Sequence, residues 1–404
     1  MKTRYGVAPW IDRFPASRRP DYPRLRGDQS CDVVIVGGGL SGCAAAYACA
    51  AGGLRPILVE AERIGQGSSG RSAGLLLPEP GPPFRELAGL HGVRTARRIF
   101  EGWRRAALDA AAVVRRLGIR CGLEPRESQL VAFRDEATVL RREYTARRDA
   151  GIDATWLAER AVRQATALEA SAALRVREGF ALDPYRAALG LAAAAAARGA
   201  AIFERSRMTR VRVGRRGVEV VLRDGLVRAP TVVVTTGTAT PEFKPLRRHF
   251  KRRETYLVLT ESMPAAMRKQ LGRRDMIVRD LRSPRHLIHW AADDRILVAG
   301  ADQDEIPERR RDAVLVQRTG QLMYELLTMY PAISGLQAAY GWHMPYGRTA
   351  DGVMYIGAHR NYPRHLFALG GGDSVTGAFL AARVIVRALR GEPDKADAAF
   401  GWTR

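Results

Sequence analysis

Cys31-Asp32-Val33-Val34-Ile35-Val36-Gly37-Gly38-Gly39-Leu40-Ser41-Gly42 is the stretch on which the fold turns. A short apolar run that ends in glycines and passes into the small-residue segment from Leu40 to Gly52 predicts strand, tight turn and helix. A second apolar strand from Arg55 to Glu60 completes a βαβ opening. In that setting Gly37 permits the turn, Gly39 lets backbone amides approach a pyrophosphate, and Gly42 allows close helix–strand packing. The helix N-terminus stabilises the anion. Glu60 ends the second strand, where its carboxylate accepts both ribose hydroxyl bonds of an adenosine. The stretch therefore predicts a dinucleotide site, without separating FAD from NAD.

The rest of the chain must support such a fold, and 404 residues with 46% apolar content supply cores for two interlocked domains. Sixty-five basic residues against 42 acidic give a formal charge of +23, which attracts polyanions. The arginines lie scattered in short clusters among Ala and Glu, with no basic stretch interleaved with aromatics, so a nucleic-acid partner is not expected. Cys31, Cys43, Cys49 and Cys121 have neither metal spacing nor a C-x-x-C pair, so no metal site is expected. The first fifteen residues lack an apolar signal stretch, and the apolar window Ala187 to Ala197 is too short for a bilayer. A cytoplasmic location follows as the expectation, with any contact to the inner membrane peripheral.

Residues 1–30 read as an extended arm anchored by Trp10 and Phe14, which packs on its own domain or on a second copy in a homo-oligomer. The sequence divides into a dinucleotide-binding domain over 31–90, 175–240 and 335–404, and a substrate domain over 91–174 and 241–334. Helical periodicity runs from Phe84 to Leu117, Asp183-Pro184 opens an alanine-rich helix, and strands follow through Thr231 to Thr235. Further strands between Glu254 and Asp304 imply a second sheet. The fold class is thus α/β: a Rossmann-like domain interleaved with an α+β domain built on a large antiparallel sheet.

Three further stretches choose the cofactor. Behind Glu60 and Ala61 comes Arg63-Ile64-Gly65-Gln66-Gly67-Ser68-Ser69-Gly70-Arg71-Ser72-Ala73-Gly74, a small-residue loop whose amides and hydroxyls can line a pyrophosphate and ribityl chain. Arg71 there can neutralise phosphate or sit beside the flavin ring. A meander from Glu204 to Val221, with Met208 on it, leads to Val232-Val233-Val234-Thr235-Thr236-Gly237, whose end lies near the adenosine half. Last, Gly347-Arg348-Thr349-Ala350-Asp351-Gly352 precedes Gly370-Gly371-Gly372-Asp373-Ser374-Val375-Thr376-Gly377, a glycine loop feeding a helix N-terminus. That is a second anion site, suited to the charge that gathers on a reduced flavin. Together the blocks predict FAD.

In this order and spacing the blocks resemble the D-amino acid oxidase, glycine oxidase and sarcosine oxidase family of FAD-dependent oxidoreductases, from Cys31 to Gly391. The resemblance implies a GR2-type FAD domain and a substrate domain whose sheet covers the flavin face. It also implies oxidation of a C–H beside an amine, with hydride passing to flavin and the imine hydrolysing. Sarcosine oxidases carry a flavin-binding cysteine where this chain has Met344, so FAD is expected to be noncovalent. Oxygen-using relatives often keep a lysine by the flavin, whereas none occurs here between Lys269 and Lys395. The final loop, with Asp373, departs from the family's Ser-Gly-His-Gly.

On the substrate side, Tyr256 falls on the strand that presents substrate contacts in relatives, and His289-Trp290 where relatives carry a polar residue facing flavin. Arg282, Arg285 and Arg348 are available to clamp a carboxylate. The expected function is FAD-dependent oxidation of an amine or amino acid, with Tyr256, His289 and Arg348 as catalytic candidates. Two alternatives stand beside it: a peripheral dehydrogenase passing electrons to quinone or a carrier protein, and an RNA-directed or structural FAD-binding protein.

Overall fold

The computed structural model describes residues 2–372 and 375–404. Strand β1 (Val33–Val36) is buried at every position, as a parallel strand covered on both faces must be. Helix α1 (Leu40–Ala51) packs between two other helices, and its alanines let both approach closely. Strand β2 (Pro56–Val59) follows, parallel to β1. The helical stretch after Phe84 breaks at Gly92, whose φ of 80° disfavours side chains, into Phe84–His91 and α2 (Val93–Arg116). Strands β3 (Glu124–Ala132) and β4 (Ala172–Ala181) come next, then α3 (Pro184–Ala196). The Asp183 carboxylate accepts from Tyr185 N and Arg186 N at 3.0 Å, which starts α3 where the Asp-Pro pair places it. Strands β5 (Ala201–Phe203) and β6 (Val232–Gly237) return to the first layer.

The second half supplies β7 (Lys251–Thr260), β8 (Met276–Asp280), β9 (Leu287–Ala291) and β10 (Arg295–Asp304), then helix α4 (Arg311–Met329). Strands β11 (Ala338–Arg348), β12 (Tyr355–His359) and β13 (Tyr362–Leu369) lead to helix α5 (Val375–Arg390).

Two large sheets result. One has the order β12-β13-β6-β1-β2-β5, parallel throughout except for the β12–β13 hairpin at its edge. Helices α1, α3 and α5 and the buried side of α2 share its core. A small four-stranded sheet of 208–229 with Gln29–Ser30 covers the opposite face. The other large sheet has ten strands along Arg4–Tyr5, β11, β7, β10, β9, β8, β3, β4 and Leu75–Leu76, with Thr155–Ala158 beside β4.

The structure corrects the expectation of an antiparallel sheet. The large sheet is mixed, because β8 runs parallel to β3 and Arg4–Tyr5 parallel to β11. The long excursion between β3 and β8, which passes through the first sheet, brings the chain back in the same direction, as parallel pairing requires. Strand β11, placed in sequence with the nucleotide half, belongs to this sheet, while α2, placed with the other half, packs on α5. The N-terminal arm lies on its own chain: Trp10 Nε1 donates to Ser72 O at 3.0 Å, and the Phe14 ring meets Tyr185 edge-on.

The faces of the ten-stranded sheet are chemically distinct, and this places the site. Leu257, Leu259, Leu297, Trp342 and Met344 point to one side, against Ala73 and Leu75 of the first domain. Tyr256 and Val258 alternate to the other, against Leu315, Leu322 and Leu326 of α4.

Candidate functional site

Between the two sheets lies a cavity of about 720 Å³. Its floor is the glycine turn. A Cβ at Gly37 would stand 2.8 Å from Thr235 O, and one at Gly42 would stand 1.8 Å from Gly37 O. Those two positions therefore need glycine for β1, β6 and α1 to close together. Gly37, Gly39, Leu40 and Ser41 line the cavity, with Gly42 behind them. The open first turn of α1 faces it, as anion binding at a helix N-terminus requires.

Glu60 lines the cavity at the end of β2, with Ala61 and Arg63 beside it. Its Oε2 accepts Gly38 N–H at 2.6 Å and its Oε1 accepts Glu62 N–H at 2.8 Å. These bonds aim the carboxylate while leaving each oxygen a lone pair for a ribose hydroxyl. Met208, Thr236 and Gly237 line the same cavity.

The loop behind Glu60 divides in its roles. Gly67, Ser68, Ser69 and Ser72 line the cavity. Ser69 Oγ accepts Leu40 N–H at 2.9 Å, and Ser68 Oγ donates to Pro345 O at 2.7 Å, joining loop, helix and sheet. Arg71, Ala73 and Gly74 stand outside the lining. The Arg71 carbonyl accepts Trp342 Nε1–H at 2.8 Å, and its guanidinium has no hydrogen-bond partner among the described residues. Burial and the nearby Arg311 push that guanidinium's pKa down. Ala73 and Gly74 pack under the sheet, Gly74 accepting Leu182 N–H at 2.8 Å.

At the far end Gly371, Gly372, Val375 and Gly377 line the cavity; Asp373 and Ser374 lie outside the described residues. Thr376 turns away, its hydroxyl donating to Leu77 O at 2.9 Å. Asp351 also turns away from the lining. It accepts Arg404 through both oxygens, at 2.7 and 2.9 Å, together with His91 Nε2, Thr349 Oγ1 and Val353 N. Burial works against its charge, but the Arg404 guanidinium holds its carboxyl at about 2. Asp351 thus braces the loop through these bonds and stands outside the cavity lining.

The three catalytic candidates also stand apart from the cavity lining. Tyr256 faces α4, fully buried; its hydroxyl donates to Glu254 Oε2 at 2.9 Å and accepts from Gln303 Nε2 at 2.8 Å. The strand assignment is right, and the alternation of a strand sends this side chain to the wrong face. His289 is sealed in the core, with Nδ1 2.9 Å from Trp290 O and Nε2 3.1 Å from Ala73 O. Burial lowers its pKa to about 4, so the neutral ring has one N–H to donate between these two carbonyls. Arg348 is exposed at the end of β11, where its backbone bridges to Gly371. Arg282 lies over the Phe133 ring at 4.3 Å, away from the other two arginines. Arg285 donates to Gly81 O at 2.6 Å and is close enough to Arg348 for mutual repulsion to help lower its pKa, after burial and Arg279.

Sequence reading missed the roof. Pro345, Tyr346 and Gly347 line the cavity at the end of β11, and Tyr346 Oη donates to Asp302 Oδ1 at 2.7 Å. The available signal was position: Tyr346 directly precedes the Gly347-to-Asp351 block. Arg252, Arg253 and Glu305 at the mouth carried no signal among so many arginines.

The glycine cradle, the carboxylate at the end of β2 and the second glycine turn at Gly371 suit an extended dinucleotide, and the comparisons with known proteins agree. Residues 32–388 match the model of the DAO family, described as FAD dependent oxidoreductase. Gamma-glutamylputrescine oxidoreductase of Escherichia coli is 26% identical over 399 residues, covering 95% of this chain and 89% of that one. Glycine oxidase from Geobacillus kaustophilus superposes with a TM-score of 0.76 at 20% identity, over 93% of this chain and 99% of that one. L-amino acid deaminase from Proteus myxofaciens, solved with anthranilate, gives 0.78 at 15% identity, over 100% and 99%. The chain belongs to the DAO family of FAD-dependent oxidoreductases, and it is an oxidoreductase whose cofactor is FAD.

Proposed function

We propose that this oxidoreductase acts on the carbon–nitrogen bond of an amine or amino acid. One observation carries the reading: the end of β11 closes the cavity with Pro345, Tyr346 and Gly347, beside the Gly371 turn that Arg348 bridges, and among the described residues no His or Lys lines it. Such a lining orients a neutral amine and excludes water without a dedicated base. FAD, when bound, supplies the acceptor for the hydride, and the resulting imine hydrolyses. The names of the three relatives point to amine and amino acid substrates as well.

The chain's own groups divide the work. With FAD bound, Gly37 to Ser41 and α1 would hold the pyrophosphate and Glu60 the ribose, while the Gly371 turn would lie along the cofactor at the far end of the cavity. Asp302 fixes the hydroxyl of Tyr346, which faces the substrate. Of the arginine candidates for a substrate carboxylate, Arg285 and Arg348 come together, outside the cavity lining. Binding is noncovalent: Met344 occupies the position of the linking cysteine, and all four cysteines are buried elsewhere.

The test is the visible spectrum of the purified protein, followed by anaerobic bleaching with amines, amino acids and hydroxy acids. Bleaching by an amine or amino acid is the expected result. A protein that gains no flavin on reconstitution, or that bleaches with hydroxy acids alone, overturns the reading. The absence of lysine from 270 to 394 favours an acceptor other than oxygen, and slow reoxidation in aerated buffer is the expected companion result. Among the described residues no helix is long and apolar enough to cross a membrane.

A further inference from the structure

A second cavity, of about 490 Å³, opens at the edge of the six-stranded sheet, and we propose that it is the docking site of a quinone that accepts the electrons taken from substrate. This rests on the amine-oxidising reading above and adds the acceptor to it. Trp402, His249 and His359 line the cavity, with Tyr355 stacked behind the indole. The rings of Tyr355 and Trp402 lie 4.5 Å apart at 7°, and His249 and His359 meet the indole edge-on at 5.5 and 4.9 Å. A stack of this kind offers a planar ligand a face to extend.

The lining is rich in donors and poor in acceptors. Trp402 Nε1 is buried without a partner among the described residues, which is costly unless a ligand acceptor meets it. His359 Nδ1 accepts Asn361 N–H at 3.2 Å, so in the neutral ring Nε2 carries the proton and is left as a donor. Arg248 and Arg360 add guanidinium groups, while the lining carboxylate, Asp397, is already held by Arg387 and Asp394 N. Ile356, Val384 and Ala388 make the remaining wall apolar. A flat, uncharged ring bearing carbonyl acceptors satisfies all three features at once.

Position supplies the link to the reaction. Met354 lines the FAD cavity, and the next residue is the stacked Tyr355, while Gly357 three residues on lines the second cavity. That is about 10 Å along a strand. Helix α5 spans the same gap from Ala378 to Val384, about 9 Å. Tyr355 and Trp402 therefore bridge the two cavities with redox-capable rings. The balance closes without oxygen: the amine loses two electrons and two protons on becoming an imine, and the quinone takes both pairs to become a quinol.

The experiment is equilibrium dialysis of the purified flavoprotein against menadione, a plain naphthoquinone. Ala358→Phe fills the cavity from an exposed position, and Trp402→Phe keeps a ring while removing the orphan donor. One saturable site is expected, weakened at least tenfold by Ala358→Phe and several-fold by Trp402→Phe, with FAD content and flavin spectrum unchanged. No saturable binding, binding indifferent to Ala358→Phe, or stronger binding of ATP in competition with menadione overturns the proposal. Amine bleaching is measured on the same samples. Bleaching without menadione binding sinks only the docking site, and menadione binding without bleaching sinks only the amine reading.

Discussion

Gly42→Ala is the sharpest probe of how the cofactor cradle is built. An added Cβ would lie 1.8 Å from Gly37 O and 2.8 Å from Thr235 Oγ1. Carbon contacts settle near 3.5 Å, so α1 must withdraw from β1 by roughly 1.5 Å. The obstacle is backbone on one side and, on the other, a threonine whose hydroxyl donates to Val36 O and Gly37 O at 2.9 Å, so neither yields cheaply. Overpacking of this kind costs about 1–3 kcal/mol. The same shift moves the α1 N-terminus off the pyrophosphate, so FAD affinity falls at least tenfold. Gly89→Ala provides the control. No atom lies within 4 Å of its added Cβ, and it sits in the exposed part of helix Phe84–His91, where alanine stabilises by about 0.5–1 kcal/mol. Titration of the two apoproteins with FAD by flavin fluorescence, alongside thermal melts, reads both effects. A Gly42→Ala protein that binds FAD as tightly as the wild type refutes the packing argument.

Three other perturbations reach different parts of the molecule. Glu79 is fully buried between Arg147, at 2.5 Å, and Arg279; burial opposes its charge but the two cations hold its carboxyl at about 2. Glu79→Ala leaves Arg147 with Glu143 alone and Arg279 with only Ser128 Oγ, and should destabilise by about 3–5 kcal/mol in urea melts, whereas a loss under 1 kcal/mol would show the network to be ornamental. His286 lies between Asp280 Oδ2 at 2.7 Å and Glu325 Oε2 at 2.8 Å; burial lowers its pKa, but the two carboxylates win and raise it above the usual 6.5. A raised folded pKa means stability that is complete below pH 6.5 and lost as pH climbs through the folded value, so the melting temperature should fall across that window, and His286→Gln should flatten the fall. Arg404→Met removes the guanidinium that bonds Asp351 and the Val353, Met354, Phe400 and Gly401 carbonyls. Since Met354 lines the cavity, FAD should dissociate at least tenfold faster, and unchanged retention would free the brace from any part in cofactor binding.

What could be read from the chain alone follows from how local each determinant is. The turn at Gly37, the acid at Glu60 and the Asp183 cap are set by neighbours a few residues away, and each stands where its pattern requires. The roles that escaped reading depend on which face of a strand a residue occupies relative to a partner far along the chain. Tyr256 and Leu257 are adjacent, yet one meets α4 and the other the flavin loop. A register read without knowing which face the first domain covers assigns them with equal ease. Asp351 shows the same limit from the other side. Its motif position points at the cofactor, but the partners that claim its two oxygens are Arg404, 53 residues later, and His91, 260 residues earlier. Tyr346 lines the cavity for a reason equally remote, since its partner Asp302 sits on β10 and its strand enters the sheet beside β7. Motif spacing thus identifies the cofactor, while substrate contacts, drawn from strands that meet only in the folded sheet, have no spacing to be recognised by.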